Sequence, residues 1–276
     1  MIEELIHGAR NPEPGARSLI LIPVYNEEAT LDRVLNAVRR AVPASDVLVV
    51  DDGSTDRSAQ ILRDRHDIHV IRHDSNQGYG QSLMTGFEHA LAAGYDVVVT
   101  IDCDEQHEPH RIPEFLAALT AADIVSGSRY LDPHVPGDPA PADRLQLNQE
   151  FAELLRAIAG YALTDAWCGF KAYRAVALRR FQLNERSYGI PLQVWIQAAY
   201  HGVRVIELPV ARIYKNPHRK FWGGLDDAQT RRAYYLRVLR DEVARWLPER
   251  LPMVPAPGSP LPAPAGGHVS REGKRR

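Results

Sequence analysis

From Ser18 onward the chain alternates two hydrophobic rhythms. Short unbroken apolar runs at residues 18–24, 46–50, 68–71, 97–101 and 124–126 read as buried strands. Between them, segments 27–42, 55–65, 78–93 and 109–119 carry apolar residues at helical spacing, as Leu31, Val34, Leu35 and Val38 do in the first. Strands that alternate with helices predict an α/β fold with a mostly parallel sheet covered on both faces.

After Tyr130 the rhythm breaks. Residues 132–143 hold four prolines and a glycine and predict a long loop. Beyond it the spacing predicts a helix over 145–161, irregular chain over 164–173, and a helix over 191–201. A strand over 204–208 follows, with 210–214 as its extension. A long helix over 226–246 ends before Pro248, and its default reading is a core-packed helix with a charged outer face. Residues 1–16 read as a polar arm, 17–247 as one domain, and the Pro-, Gly- and Ala-rich stretch 248–276 as disordered.

Composition narrows the class. With 276 residues, 45% hydrophobic and 25% charged, the chain can bury a substantial core. A net charge of −2 gives no general reason to expect nucleic-acid binding. Cys103 and Cys168 are too few for a disulfide framework, which favours a reduced, cytoplasmic setting. The N-terminus lacks a signal-peptide core, and no apolar stretch reaches the roughly 18 residues of a membrane span. Peripheral contact at the cytoplasmic face of a membrane stays open.

The polar clusters sit where the strands end. They are Pro23 to Glu28, Asp51 to Asp56, Asn76 to Gly80 after the third strand, and Asp102 to His107. In open α/β sheets ligands bind beyond the carboxyl ends of the strands. Each cluster also has a plain reading: Asp52 or Ser54 as a helix cap, Asn76-Gln77-Gly78 as a turn, Glu27 and Glu28 as first-turn acids. Asp102 and Asp104 resist one, because two neighbouring carboxylates repel unless a cation joins them, and a hard divalent ion takes oxygen ligands. His107 and His110 lack the cysteine pair that would complete a structural zinc site.

Taken in order, these motifs resemble the family 2 glycosyltransferases of GT-A fold, nearest the dolichol-phosphate mannosyltransferase-like branch. Gly127-Ser128-Arg129-Tyr130 and Asp165 through Gly169-Phe170-Lys171 extend the likeness, which covers residues 18–214. The resemblance implies an inverting transfer from a GDP- or UDP-linked sugar with Mg2+ or Mn2+. It gives Pro23, Tyr25, Glu27, Asp51, Asp52, Ser54, Gly78 and Cys103 to the nucleotide sugar. Asp102, Asp104 and Gln106 go to the metal, with Asp104 the direct ligand, and Arg129 to phosphate. Asp165 is the candidate base if the acceptor is a soluble sugar, glycan or small molecule. If the acceptor is a polyprenyl phosphate, whose nucleophile is already anionic, Asp165 would instead position the acceptor or order residues 167–171. A noncatalytic nucleotide-sugar-binding module is the alternative from another class.

The likeness thins on the acceptor side. The stretch after the Gly-Ser-Arg-Tyr motif carries only Arg144 where a basic helix is expected, and the loop with Lys215, Arg219 and Lys220 departs from the usual pattern. Lys215 and Arg219 are candidate diphosphate contacts. Phe221 and Trp222 are candidates for stacking on a sugar or touching a membrane surface.

Overall fold

The computed structural model describes residues 16–214 and 224–259. Nearly all of the expected arm and the basic loop with Lys215, Arg219, Lys220, Phe221 and Trp222 lie outside the described residues. Seven strands form one sheet: β1 (Ser18–Val24), β2 (Asp46–Asp51), β3 (His69–Arg72), β4 (Val97–Thr100), β5 (Ile124–Ser128), β6 (Lys171–Arg174) and β7 (Val205–Pro209), in the order β3-β2-β1-β4-β6-β5-β7. Every pairing is parallel except those of β6, which runs antiparallel between β4 and β5.

The unbroken apolar runs are the central strands, as expected where both faces of a sheet are covered. Ile20, Ile22, Val49 and Val99 pack on one face with Leu31, Val34, Leu35 and Val38 of α1 (Leu31–Ala41) and Phe115 of α4 (Ile112–Ala118). Leu19, Leu21, Leu48 and Val98 pack on the other. There they meet α3 (Tyr79–Ala92), α5 (Ala142–Ala159), α7 (Ile190–Tyr200) and α8 (Ala228–Trp246). Two short helices, α2 (Ser58–Arg63) and α6 (Ala175–Leu178), complete the set.

The structure corrects the sequence reading at four places. Part of the segment expected to be irregular, 164–173, is β6. Its Lys-Ala-Tyr-Arg sequence is too polar to announce a core strand, yet Ala172 and Tyr173 point into opposite core layers with the period of two that a strand imposes. The extension over 210–214 is not a strand; only Arg212 bridges, to Gly137. In α8 the charge is not all outward, since Arg231, Arg232 and Glu242 are buried. Finally, residues 248–259, expected to be disordered, are folded: a 3-10 helix spans Pro248–Met253 and Val254 is buried. Val254, Leu247 and Leu251 extend the apolar core, and arginines of α8 cap the segment's carbonyls, Arg240 at Val254 (2.7 Å) and Arg232 at Ser259 (2.6 Å).

Candidate active site

A cavity of about 530 Å³ opens at the carboxyl ends of β1, β2 and β4 and runs inward between the sheet and helices α3, α5, α7 and α8. Its outer rim is built by side chains that tie strand ends together. After β1 the chain turns through Asn26, which adopts a left-handed backbone (φ 56°). The Asn26 backbone N–H donates to Ser54 Oγ (3.0 Å), and its side-chain oxygen accepts from the Thr55 N–H (2.8 Å). That exchange presents Pro23, Tyr25 and Glu27 to the cavity.

The neighbouring aspartates after β2 divide their work. Asp51 is buried, accepts from the Ser54 N–H and pairs with Arg72; it does not line the cavity. Asp52 does line it, and both its oxygens serve the next loop. Oδ1 accepts from the Gln77 N–H (2.9 Å) and lies 2.7 Å from His73 Nδ1, while Oδ2 accepts from the Gly78 N–H (2.8 Å). Gly78 has φ 107°, and a Cβ there would stand 2.2 Å from the carbonyl oxygen of Arg186. Glycine is required on both counts.

Asp102 and Asp104 project into the same cavity beyond β4. Asp102 Oδ1 accepts from Tyr79 Oη (2.9 Å), and Oδ2 is 3.0 Å from His107 Nε2. Burial, reinforced by the Asp102 charge, pushes the Tyr79 phenol well above its usual pKa, so it stays a donor. Asp104 accepts from the Gln106 N–H (3.0 Å). Between them Glu105 is left-handed (φ 59°) and is held by a bidentate pair with Arg33 at 2.9 and 3.1 Å.

This oxygen-only donor set suits a hard divalent cation. Gly169 keeps Asp102 clear, since a Cβ there would stand 2.3 Å from Oδ2. Among the described residues no group of three or more His, Cys, Asp or Glu side chains could hold a metal by itself. A cation bound through Asp102, Asp104 and Gln106 would therefore draw its remaining ligands from substrate or water.

The inner wall is cationic and aromatic. Arg129 donates to Asp165 through Nε (2.6 Å) and Nη2 (2.9 Å), and Asp165 also accepts from the backbone N–H groups of Arg129 and Trp167. Burial alone would raise the Asp165 pKa, but the Arg129 charge and these hydrogen bonds outweigh it and hold the carboxyl below its usual range. Lys171 is buried, donates to the Cys168 carbonyl, and lies 5.3 Å over the Trp195 ring; burial lowers its pKa. Arg144 of α5 and Arg231 of α8 line the wall as well, Arg231 bonded to Asp143 at 2.5 Å. Trp167 stacks on Tyr235 with centroids 4.0 Å apart. Its indole Nε1 is buried with no hydrogen-bond partner among the described residues.

The cavity thus gathers Pro23, Tyr25, Glu27, Asp52, Gly78, Asp102, Cys103, Asp104, Gln106 and Arg129. It excludes Asp51, Ser54 and Asp165, which brace it from behind. Sequence reasoning assigned no role here to Tyr79, Lys171, Trp167, Tyr188, Arg231 or Tyr235. Two of these had a visible signal: Tyr79 follows Gly78, and Lys171 closes the Gly-Phe-Lys motif, in segments already marked by their polar residues.

The sheet is mostly parallel with one antiparallel strand, and a cleft at its carboxyl ends carries an Asp-x-Asp pair on its rim. The glycosyl transferase family 2 model matches residues 19–181, and the chain belongs to that family. It is similar to an undecaprenyl-phosphate mannosyltransferase of Micrococcus luteus, at 35% identity over 220 residues covering 76% of this chain and 89% of the relative. A polyprenol monophosphomannose synthase of Mycolicibacterium smegmatis is 33% identical over 209 residues, covering 71% and 77%. These relatives place the chain in the dolichol-phosphate mannosyltransferase-like branch. Among solved structures, the Mycobacterium tuberculosis glucosyl-3-phosphoglycerate synthase complexed with Mn2+, UDP and glucosyl-3-phosphoglycerate shares the fold. Its TM-score is 0.64 at 18% identity, with 89% of this chain and 84% of that one covered.

Proposed function

We propose that the protein transfers a sugar, with inversion, from a GDP- or UDP-linked donor to a polyprenyl phosphate. The observation that carries the acceptor is the distribution of charge. The carboxylates that line the cavity, Glu27, Asp52, Asp102 and Asp104, all stand on the rim at the ends of β1, β2 and β4. The described lining of the inner wall has no carboxylate and carries Arg129, Arg144, Lys171 and Arg231. Asp165, the candidate base, is fully buried and bonded through both oxygens to Arg129. A carboxylate with a lowered pKa and no open face is a poor proton acceptor. A phosphate nucleophile needs none.

The step balances without one. A phosphate oxygen forms the new bond to the anomeric carbon from the face opposite the leaving group. The bond from that carbon to the nucleoside diphosphate breaks, its electron pair leaving with the diphosphate. Mg2+ or Mn2+ held by Asp102, Asp104 and Gln106 would supply charge neutralisation for the diphosphate. Tyr79 and His107 hold Asp102 in place, Asp52 shapes the donor loop, and Arg129, kept rigid by Asp165, offers its outward donors to phosphate. Trp167, Tyr188 and Tyr235 give the first isoprene units an apolar surface. No helix among the described residues is long and apolar enough to cross a membrane. On this reading the protein meets its lipid acceptor at the cytoplasmic face.

The relatives named as polyprenyl-phosphate mannosyltransferases support the same acceptor and favour GDP-mannose as the first donor to try. The test uses purified protein, radiolabelled GDP-mannose or UDP-glucose, Mg2+ or Mn2+, and undecaprenyl phosphate in detergent beside soluble sugars and glycans. Label should enter the solvent-extractable lipid and be lost with Asp104→Ala. Label found only in soluble acceptors would reject the lipid reading, and neither transfer nor hydrolysis of any donor would leave a binding module.

A further inference from the structure

A buried polar network on the far side of α7 and α8 is not used by the chemistry above. Glu242 of α8 is 3% exposed, and its two oxygens accept from two glutamines of α7, Gln193 Nε2 at 2.8 Å and Gln197 Nε2 at 2.6 Å. Both glutamines are themselves buried. Because each turns its amide nitrogen to the carboxylate, each presents its oxygen to the loop between α6 and α7. Gln193 Oε1 accepts from the N–H groups of Asn184 and Glu185, both at 2.9 Å, and Gln197 Oε1 from that of Gln182 at 2.6 Å.

That loop is the wall beside the donor turn. The Arg186 carbonyl accepts from the Gln81 N–H (3.1 Å), at the start of α3. Cβ atoms at Gly78 and Gly80 would stand 2.2 Å from the carbonyl oxygens of Arg186 and Glu185, so the two backbones touch. Ser187 and Tyr188 line the cavity, and Tyr188 stacks on Tyr79 with centroids 5.7 Å apart. Tyr79 in turn donates to Asp102.

We infer that Glu242 is a positioning residue: through Gln193 and Gln197 it fixes the 182–188 loop, and through that loop the Gly78–Tyr79 turn against which the sugar nucleotide binds. The inference rests on the donor side assigned above. Its chemistry makes it sharp. A carboxylate offers two acceptors to two donors, whereas a glutamine at 242 offers one acceptor and one donor. In Glu242→Gln, with the same shape, one α7 glutamine must rotate its amide and point N–H groups at the loop's own N–H groups. Exchanging the partners, Glu242→Gln with Gln197→Glu, restores a donor facing an acceptor at every link to position 242 and to the Gln182 N–H, and loses only the longer bond from Gln197 Nε2 to the Gln182 carbonyl (3.2 Å).

The experiment measures amide hydrogen exchange on the full chain, and KM for the sugar nucleotide that the wild type uses, in the wild type, the single variant and the double variant. Glu242→Gln should speed exchange locally at residues 182–188 and raise the donor KM about tenfold with kcat changed much less, as loss of an outer-shell partner does. The double variant should recover most of both. Wild-type exchange and KM in Glu242→Gln, uniform loss of protection across the fold, or a double variant no better than the single would overturn the inference. A wild type that binds neither GDP nor UDP with metal would instead remove the donor reading, and with it the purpose assigned to the wall. The exchange pattern would still report whether Glu242 holds the loop, so the two failures are separate.

Discussion

On the rim, charge shapes the turns that follow the strands: Asp51 meets Arg72 and the Ser54 amide, Asp52 meets His73 and the amides of the next loop, and Glu105 meets Arg33 of α1. On the inner wall, every pair has a buried member and links whole elements of the fold. Arg129 and Asp165 are 36 residues apart, Arg232 and Glu150 are 82, and Arg231 and Asp143 are 88. The inner pairs join separate elements, so they hold helices α5 and α8 and the 164–171 turn against one another. The rim pairs shape loops, and among them Asp102 is held by Tyr79 and His107 while Asp104 bonds the Gln106 N–H. The inner pairs lock elements together; the rim carboxylates hold the turns that follow the strands.

The largest effect should come from breaking the inner wall. Asp165→Asn leaves Arg129 buried without its counter-charge and should cost about 3–5 kcal/mol, read by urea unfolding at neutral pH. The folded-state pKa of Asp165 lies below the ordinary 3.8. Its contribution is therefore complete above that pH and is lost as pH falls through the folded value. The gap between wild type and Asp165→Asn should narrow only below about pH 3.8, and a gap that closes at higher pH would contradict the pairing.

The rim should respond the other way. Asp104→Ala should lower turnover by about 10²–10³ while costing far less stability in metal-free buffer than Asp165→Asn, because Asp104 is only partly buried and its bond to the Gln106 N–H stays within its own turn. A loss of stability as large as that of Asp165→Asn would show that Asp104 belongs to the framework, and the contrast between the walls would fail.

This division also explains what could be read from the chain. The rim was legible because each of its motifs follows a strand, and the unbroken apolar runs that mark buried strands point to those ends. Even there, contiguity misled: Asp51 and Ser54 sit in the same motif as Asp52 but face the framework. The inner wall was hidden because Arg144 and Arg231 lie inside helices, where no strand end marks them. Yet α8 held a signal. Arg231, Tyr235, Val238 and Glu242 fall on one helical stripe, as do Arg232, Leu236, Leu239 and Val243. Charges lying in an apolar stripe announce buried partners without naming them. For β6 burial came from strands distant in sequence, and for residues 248–259 from packing against α5 and α8, which local composition does not report.

Lys171 tests the boundary between the walls. It is a buried ammonium that forms no ion pair among the described residues, so the fold alone gives little reason for its charge. Lys171→Met keeps the length and apolar stem. It should leave stability unchanged or raised, while transfer to a phosphate acceptor falls about 10²-fold. Steady-state kinetics beside thermal unfolding separates the two. A large stability loss with normal turnover would return Lys171 to the framework.

The smallest effect should be at Arg33, whose side chain is 64% exposed and clamps Glu105. An exposed pair adds little to stability, so Arg33→Ala should not move the melting temperature. Glu105, however, holds a left-handed backbone between Asp104 and Gln106, a conformation that L residues resist. Loosening the clamp should let that turn relax and weaken Mn2+ binding, followed by calorimetry with GDP or UDP present, by less than about fivefold. Adding Glu105→Gly to Arg33→Ala supplies a residue that accepts the same backbone angle without help. Recovery of Mn2+ affinity in the double variant would show that the rim needs the angle and not the ion pair. If the double variant binds no better than Arg33→Ala, the carboxylate of Glu105 itself matters, and the rim is held by charge as the inner wall is.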